Sequence, residues 1–149
     1  MKRLFATLIV FCAAVPTLAL GQTANLRGNA AAGAAEFERQ CTSCHLIQGA
    51  DGQVLAGRTA QTGPNLYGLV GRAVGRVDSY RYSGAIIEAG AAGAVWTEND
   101  FVGYLLDPNG WLAETLDDSG ARGRMVYQVR DRTEALNIYA YIASLGGGR

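Results

Sequence analysis

Five residues, Cys41-Thr42-Ser43-Cys44-His45, constrain this chain more than any other stretch. They spell C-x-x-C-H, the pattern for covalent attachment of a c-type haem. Two thiols three positions apart are placed to add to the two vinyl groups of a porphyrin. The imidazole that follows the second thiol then lies under the iron and can bind it. Three other readings compete. A zinc half-site needs further Cys or His ligands, and beyond Cys12 and this motif the sequence has no other Cys and no second His. A thioredoxin-like redox pair belongs with a βαβ pattern, and none is visible. A structural disulfide gives no reason for the adjacent His. The motif therefore reads as one haem c, held through Cys41 and Cys44 and ligated by His45.

The N-terminus supports this reading. Lys2 and Arg3 precede an apolar run from Leu4 to Leu20, and the small residues Ala19 and Gly21 stand at signal-peptidase spacing. Residues 1–21 read as a cleaved Sec-type signal peptide. The rival, an uncleaved anchor, is slightly short for a membrane span of about 20 residues. The expected mature chain, residues 22–149, is one domain in the periplasm, on the oxidising side of the membrane where c-type haem is attached. Cleavage removes Lys2 and Arg3, so the 13 basic residues become 11 against 13 acidic ones, a net charge of about −2 with no lysine left. Without a basic excess, nucleic acid is excluded as a partner.

The secondary-structure pattern is helical. Asn29 to Gln40 is Ala-rich, and Gly33 and Phe37 share a face four residues apart. A mid-helix glycine costs about 1 kcal/mol relative to Ala, so Gly33 implies close approach by another element. Leu46 to Gly63 and Leu66 to Val77 are turn-rich and read as loops. Tyr80 to Ala89 can hold a short helix, and Glu88 to Ala94 reads as a low-complexity surface insertion. Thr97 caps a helix that ends at Leu106, because Pro108 disfavours helical geometry at Asp107. Trp111 to Leu116 is a second short helix, and Asp117 to Gly123 a polar loop. Asp131 opens the surest helix, stopped at Gly146. No alternating strand pattern appears, so the expected fold is all-α with long loops.

An electron-carrying haem needs a sixth ligand, and Met/His ligation raises its potential. After the leader the candidates can be counted: His45 is already used, there is no Lys, and Met125 is the one Met. If a side chain of the usual kinds supplies the ligand, it is Met125. The alternative is a gap-filling core methionine.

At this point the chain resembles class I cytochromes c, in particular the mitochondrial cytochrome c and bacterial cytochrome c2 branch. The likeness runs from about Gly28 to Leu145. It rests on Gly33, Phe37 and the C-x-x-C-H motif, on Gly63-Pro64-Asn65-Leu66-Tyr67-Gly68-Leu69-Val70-Gly71-Arg72, and on Tyr80-Arg81-Tyr82-Ser83. It continues through Trp96-Thr97, Tyr104 to Pro108, Arg124 to Tyr127, and Ile138 to Ile142. The resemblance implies N- and C-terminal helices that cross at Gly33, Phe37, Ile138 and Tyr141, with shorter helices and long loops around one haem. It implies that Cys41 and Cys44 are the thioether cysteines, His45 the proximal ligand and Met125 the distal one. It implies that the Pro64 carbonyl fixes the ligand imidazole, that Arg72, Tyr82 and Trp96 bind the propionates, and that Tyr104 lies beside the methionine sulfur.

Three departures stand out. The chain is longer than the family pattern between His45 and Gly63, between Tyr82 and Trp96, and between Leu112 and Met125. A Gly123-Arg124 pair replaces the family's Pro-Gly-Thr-Lys run, so one propionate donor is missing. The ring of docking lysines is absent, leaving Arg58, Arg76, Arg81, Arg122, Arg124, Arg130 and Arg132 as substitutes. The implied function is that of a monomeric, non-enzymatic one-electron carrier in a respiratory or photosynthetic chain. It takes electrons from a bc1-type complex and delivers them to an oxidase or reaction centre, touching the membrane only transiently. The alternative is a haem c subunit bound tightly to a periplasmic dehydrogenase.

Overall fold

A computed structural model describes residues 26–59 and 62–146. The leader, 1–21, lies outside the described residues. Five helices dominate: α1 (Ala30–Gln40), α2 (Gly84–Ala91), α3 (Glu98–Leu106), α4 (Pro108–Leu116) and α5 (Arg132–Leu145).

Each helix starts where a polar side chain can satisfy its orphan N–H groups. Asn29 accepts from Ala31 and Ala32, Ser83 from Ile86, Thr97 from Asp100, and Asp131 from Thr133 and Glu134. Asp107 has extended geometry (φ −151°, ψ 91°), as expected before a proline; it ends α3 and caps α4. Pro108 thus begins α4 three residues ahead of the expected start at Trp111, in the first turn, where its missing N–H costs nothing.

The α1–α5 packing forms the frame of the molecule. A Cβ on Gly33 would collide with the Asn137 carbonyl of α5, so the close approach inferred from the sequence is real. Phe37 is fully buried there and stacks at a tilt on Tyr141, ring centroids 5.6 Å apart. Ile138 and Ile142 complete the seam, and α3 packs on the other side of α5.

Two expectations need correction. The stretch from Leu46 to Gly63 is not all loop: Ile47–Gln48 (β1) pairs antiparallel with Val54–Ala56 (β2), with an irregular register. Strands of two and three residues are too short to show alternation. A side chain fastens β1 to the loop that follows the pair: Asn65 accepts from the Gln48 N–H and donates to the Gln48 carbonyl. Nor is Glu88 to Ala94 a surface insertion throughout. It continues α2, and Ala89 and Gly90 are buried, Gly90 so tightly against the Val74 carbonyl that a Cβ would clash. Its low complexity reflects the small residues that this approach requires.

Candidate functional site

The site begins where α1 ends. The Cys41 N–H donates to Phe37 O (2.8 Å), and the Cys44 and His45 N–H groups both donate to Cys41 O (3.1 and 2.9 Å). This turn winds Cys41, Cys44 and His45 so that all three line one cavity. Burial, with Cys44 as a lesser influence, pushes the Cys41 thiol up to about 12.

His45 is held from behind. Its Nδ1 lies 2.9 Å from Pro64 O. A carbonyl can only accept, so Nδ1 carries the proton and Nε2 keeps its lone pair. Burial lowers the His45 pKa, opposed by the Pro64 bond, which keeps the ring neutral and fit to ligate. Gly63 lies against the ring, its N–H donating to Cys44 O (2.7 Å). A methyl group at Gly63 would overlap three atoms of the imidazole. Gly63-Pro64 therefore acts as a fitted backing for His45: no side chain on the first residue, a carbonyl on the second.

The cavity measures about 270 Å³ and is walled by Leu66, Leu69, Ile86, Phe101, Leu105, Val129, Ile138 and Ile142. All nine residues singled out from the sequence, Cys41, Cys44, His45, Pro64, Arg72, Tyr82, Trp96, Tyr104 and Met125, line it. They come together from four connecting segments and from α3, which carries Tyr104.

Arg72 donates from Nη1 to Tyr67 O (2.8 Å) and from Nη2 to Asn65 O (3.3 Å), closing the loop that carries Pro64. Tyr82 has its phenol pKa raised by burial, with Arg72 pulling the other way. Trp96 is buried, stacked on Trp111 (5.5 Å) and edge-on to Tyr104 (5.2 Å). Burial, then Tyr80 and Tyr82, pushes Tyr104 up to about 12, so its hydroxyl stays a donor at any ordinary pH. Met125 lies on an irregular segment between two anchors, Gly123 N–H to Asn109 Oδ1 (3.0 Å) and Val129 N–H to Leu105 O (2.8 Å).

Four residues here receive no site role from the sequence: Gly63, Tyr80, Gln40 and Tyr127. Gly63 signals itself only by having no side chain. Tyr80 lines the cavity, donates to Thr62 O (3.0 Å) and sits edge-on to Tyr82 at 4.8 Å; the i, i+2 spacing on an extended segment was its available signal. Gln40 and Tyr127 meet across the mouth of the cavity through a contact 87 residues apart in sequence, which no local pattern encodes.

Two free thiols at C-x-x-C-H spacing, an imidazole with a fixed tautomer and a thioether, all on one apolar cavity, are a donor set that fits a covalent haem. Comparison with known proteins agrees. No family model matches the chain. Cytochrome c2 of Rhodovulum adriaticum is 50% identical over 122 residues, 82% of this chain and 96% of that protein. The crystal structure of cytochrome c2 from Rhodobacter sphaeroides superposes with a TM-score of 0.78 at 41% identity, covering 80% of this chain and 97% of the other. Ferric cytochrome c-550 from Paracoccus versutus gives 0.74 at 35% identity, covering 80% and 98%.

The chain belongs to the cytochrome c2 family. As a cytochrome c2 it has the class I cytochrome c fold and is an electron-transfer protein, not an enzyme. Its cofactor is one covalent haem c, for which Cys41 and Cys44 stand at the required spacing. The three stretches read from the sequence as longer than the family pattern contain the β1–β2 pair, α2, and the end of α4 with its following loop. That last loop turns on Asp117 in left-handed geometry (φ 50°) and is pinned by the buried Ala121.

Proposed function

We propose that this cytochrome c2 is a periplasmic shuttle whose iron is held between His45 Nε2 and Met125 Sδ. It carries one electron at a time from a quinol-oxidising bc1-type donor to an oxidase or photosynthetic reaction centre. One observation carries the reading: Met125, the one methionine after the leader, lines the same cavity as an imidazole whose Nδ1 is already committed to Pro64. When bound, haem supplies a single Fe(III)/Fe(II) couple, and the protein's part is to bias and shield it. The Pro64 carbonyl strengthens His45 as a donor. The aliphatic and aromatic walls exclude water and keep the change in solvation small. Arg72, Tyr82 and Trp96 give the propionates partners, without which burying a carboxylate is expensive. Two side-chain ligands leave no open position for oxygen or a substrate. Export follows from the signal in residues 1–21. Docking relies on arginine rather than lysine, and at a net charge of about −2 steering to partners is weak.

Met125→Ala tests the ligand. The weak sulfur-to-iron absorption of the ferric protein disappears, and the potential falls by roughly a hundred millivolts or more, a fraction of the ~0.8 V that axial ligands span. An unchanged potential refutes Met125 as ligand. Purified native protein, with its leader intact or removed read by mass spectrometry, is then titrated against membranes containing a bc1-type complex. Failure to accept electrons from them rejects the proposed donor.

A further inference from the structure

The segment that bears Met125 is anchored by backbone only at its ends, at Gly123 and Val129. Among the described residues, no backbone amide from Arg124 to Gln128 bonds to another backbone group. Val126 is 90% exposed. What ties the middle down on the α1 side is a run of side chains. Tyr127 donates its hydroxyl to Gln40 Oε1 (3.1 Å). That contact orients the amide, whose Nε2 donates to Glu134 Oε2 (2.9 Å). The other oxygen of Glu134 accepts from Arg39 Nη2 (2.9 Å). The remaining side-chain bonds of the segment, from Arg124 to Arg81 O and from Gln128 to Asp107, lead to other parts of the molecule.

Gln40 is the last residue of α1, directly before the thiol Cys41, and Glu134 is in the first turn of α5. The run therefore joins the methionine segment to the part of the chain that is covalently fixed and to the helix packed on it. Glutamine suits the middle place because it accepts from a hydroxyl on one side while donating to a carboxylate on the other. A carboxylate there would face Glu134 as a like charge.

We propose that Tyr127, Gln40 and Glu134 form a latch that holds the Met125 segment closed, with Tyr127 and Gln40 acting as positioning residues for the methionine ligand. The proposal rests on the reading of Met125 as that ligand. The latch sets how often the segment opens. It leaves the His45 side untouched, because Gly63, Pro64 and the Cys41 turn are held by backbone bonds of their own.

The test uses ferric holoprotein with imidazole as the entering ligand, whose uptake requires Met125 to leave. Tyr127→Phe deletes one oxygen and keeps the ring. Because the bond is at the surface, the expected effect is modest: uptake about threefold faster. Gln40→Leu accelerates uptake at least as much. In the double variant, Tyr127→Phe adds nothing further, since its partner is already gone. A general loosening of the fold would instead make the two effects multiply. If the parent protein shows no sulfur-to-iron absorption, the Met125 reading fails and the latch fails with it. If the parent shows that absorption but Tyr127→Phe takes up imidazole at the parental rate, or the two effects multiply, the latch is overturned while the ligand stands.

Discussion

Gly63→Ala tests the backing of the His45 imidazole most directly. The added Cβ would stand 2.7 Å from His45 Nε2 and nearer still to Nδ1 and Cε1. Ordinary contact is about 3.5 Å or more, so the ring must move by roughly an ångström. It cannot do so and keep the 2.9 Å bond to Pro64 O. Overpacking costs about 1–3 kcal/mol, and the lost bond about 1 kcal/mol. Removing a glycine stiffens the unfolded chain and returns about 0.4–1 kcal/mol. The net loss is about 2–3 kcal/mol, a fall in melting midpoint of roughly 8–10 °C for a chain of this size. Thermal unfolding of the ferric holoprotein measures it. A potential titration on the same sample should shift too, because the displaced imidazole is a poorer donor once the Pro64 bond is broken. Gly84→Ala is the control. It lies in the first turn of α2 with nothing within 4 Å of an added Cβ, so it should be neutral or slightly stabilising. Equal behaviour of the two variants would refute the argument, because it would mean that the imidazole is not held against Gly63.

The same reasoning gives Gly33→Ala a sign opposite to helix propensity. Alanine gains about 1 kcal/mol in an isolated helix, but the collision with the Asn137 carbonyl costs more, for a net loss on the order of 1–2 kcal/mol in denaturant unfolding. The phenols give a pH prediction. Tyr104 and Tyr139 are both pushed up to about 12, chiefly by burial. Folded values above the unfolded value of about 10 mean that this contribution to stability is complete below pH ~10 and is lost as pH rises from about 10 to 12. In a spectrophotometric titration Tyr104 and Tyr139 should appear as a late step, well above pH 10. Ionisation of all seven tyrosines together near pH 10, with the protein still folded, would contradict it.

What could be seen in the sequence was local or chemically scarce. Five adjacent residues specify the thiols and the imidazole. Met125 stands out for lack of rivals, and it lines the same cavity. The caps at Thr97 and Asp131 and the break at Pro108 are each written within a few neighbouring residues, and α3 and α5 lie where those signals put them. What stayed hidden depends on distance or on absence. The strands of the β1–β2 pair are two and three residues long, and β1 is fastened by Asn65, 17 residues beyond Gln48. Ala89 and Gly90 look like low-complexity surface because small size is their function, and only Val74 opposite shows it. Gln40 reaches Tyr127 across 87 residues and Glu134 across 94. No periodicity carries such pairs, since each partner alone is an ordinary polar residue near a helix end.

The two sides of the site are therefore built differently, and this bears on how a closed haem protein can be both rigid and able to form. On the His45 side, positions are set by backbone groups: the Cys41 carbonyl and the Gly63 amide hold the turn, and the Pro64 carbonyl holds the imidazole. On the Met125 side the chain crosses open ground between Gly123 and Val129 and is held by side chains. On the proposed Met125 ligation, such a segment lets the thioether engage after the thiols and imidazole, with an attachment that single residues tune. The exposed Val126 lies on this adjustable segment, next to Arg124 at the cavity mouth. Substitutions at the cavity mouth therefore alter the surface around Val126 and the hold on the Met125 segment together, while the backbone-held side keeps the imidazole in place.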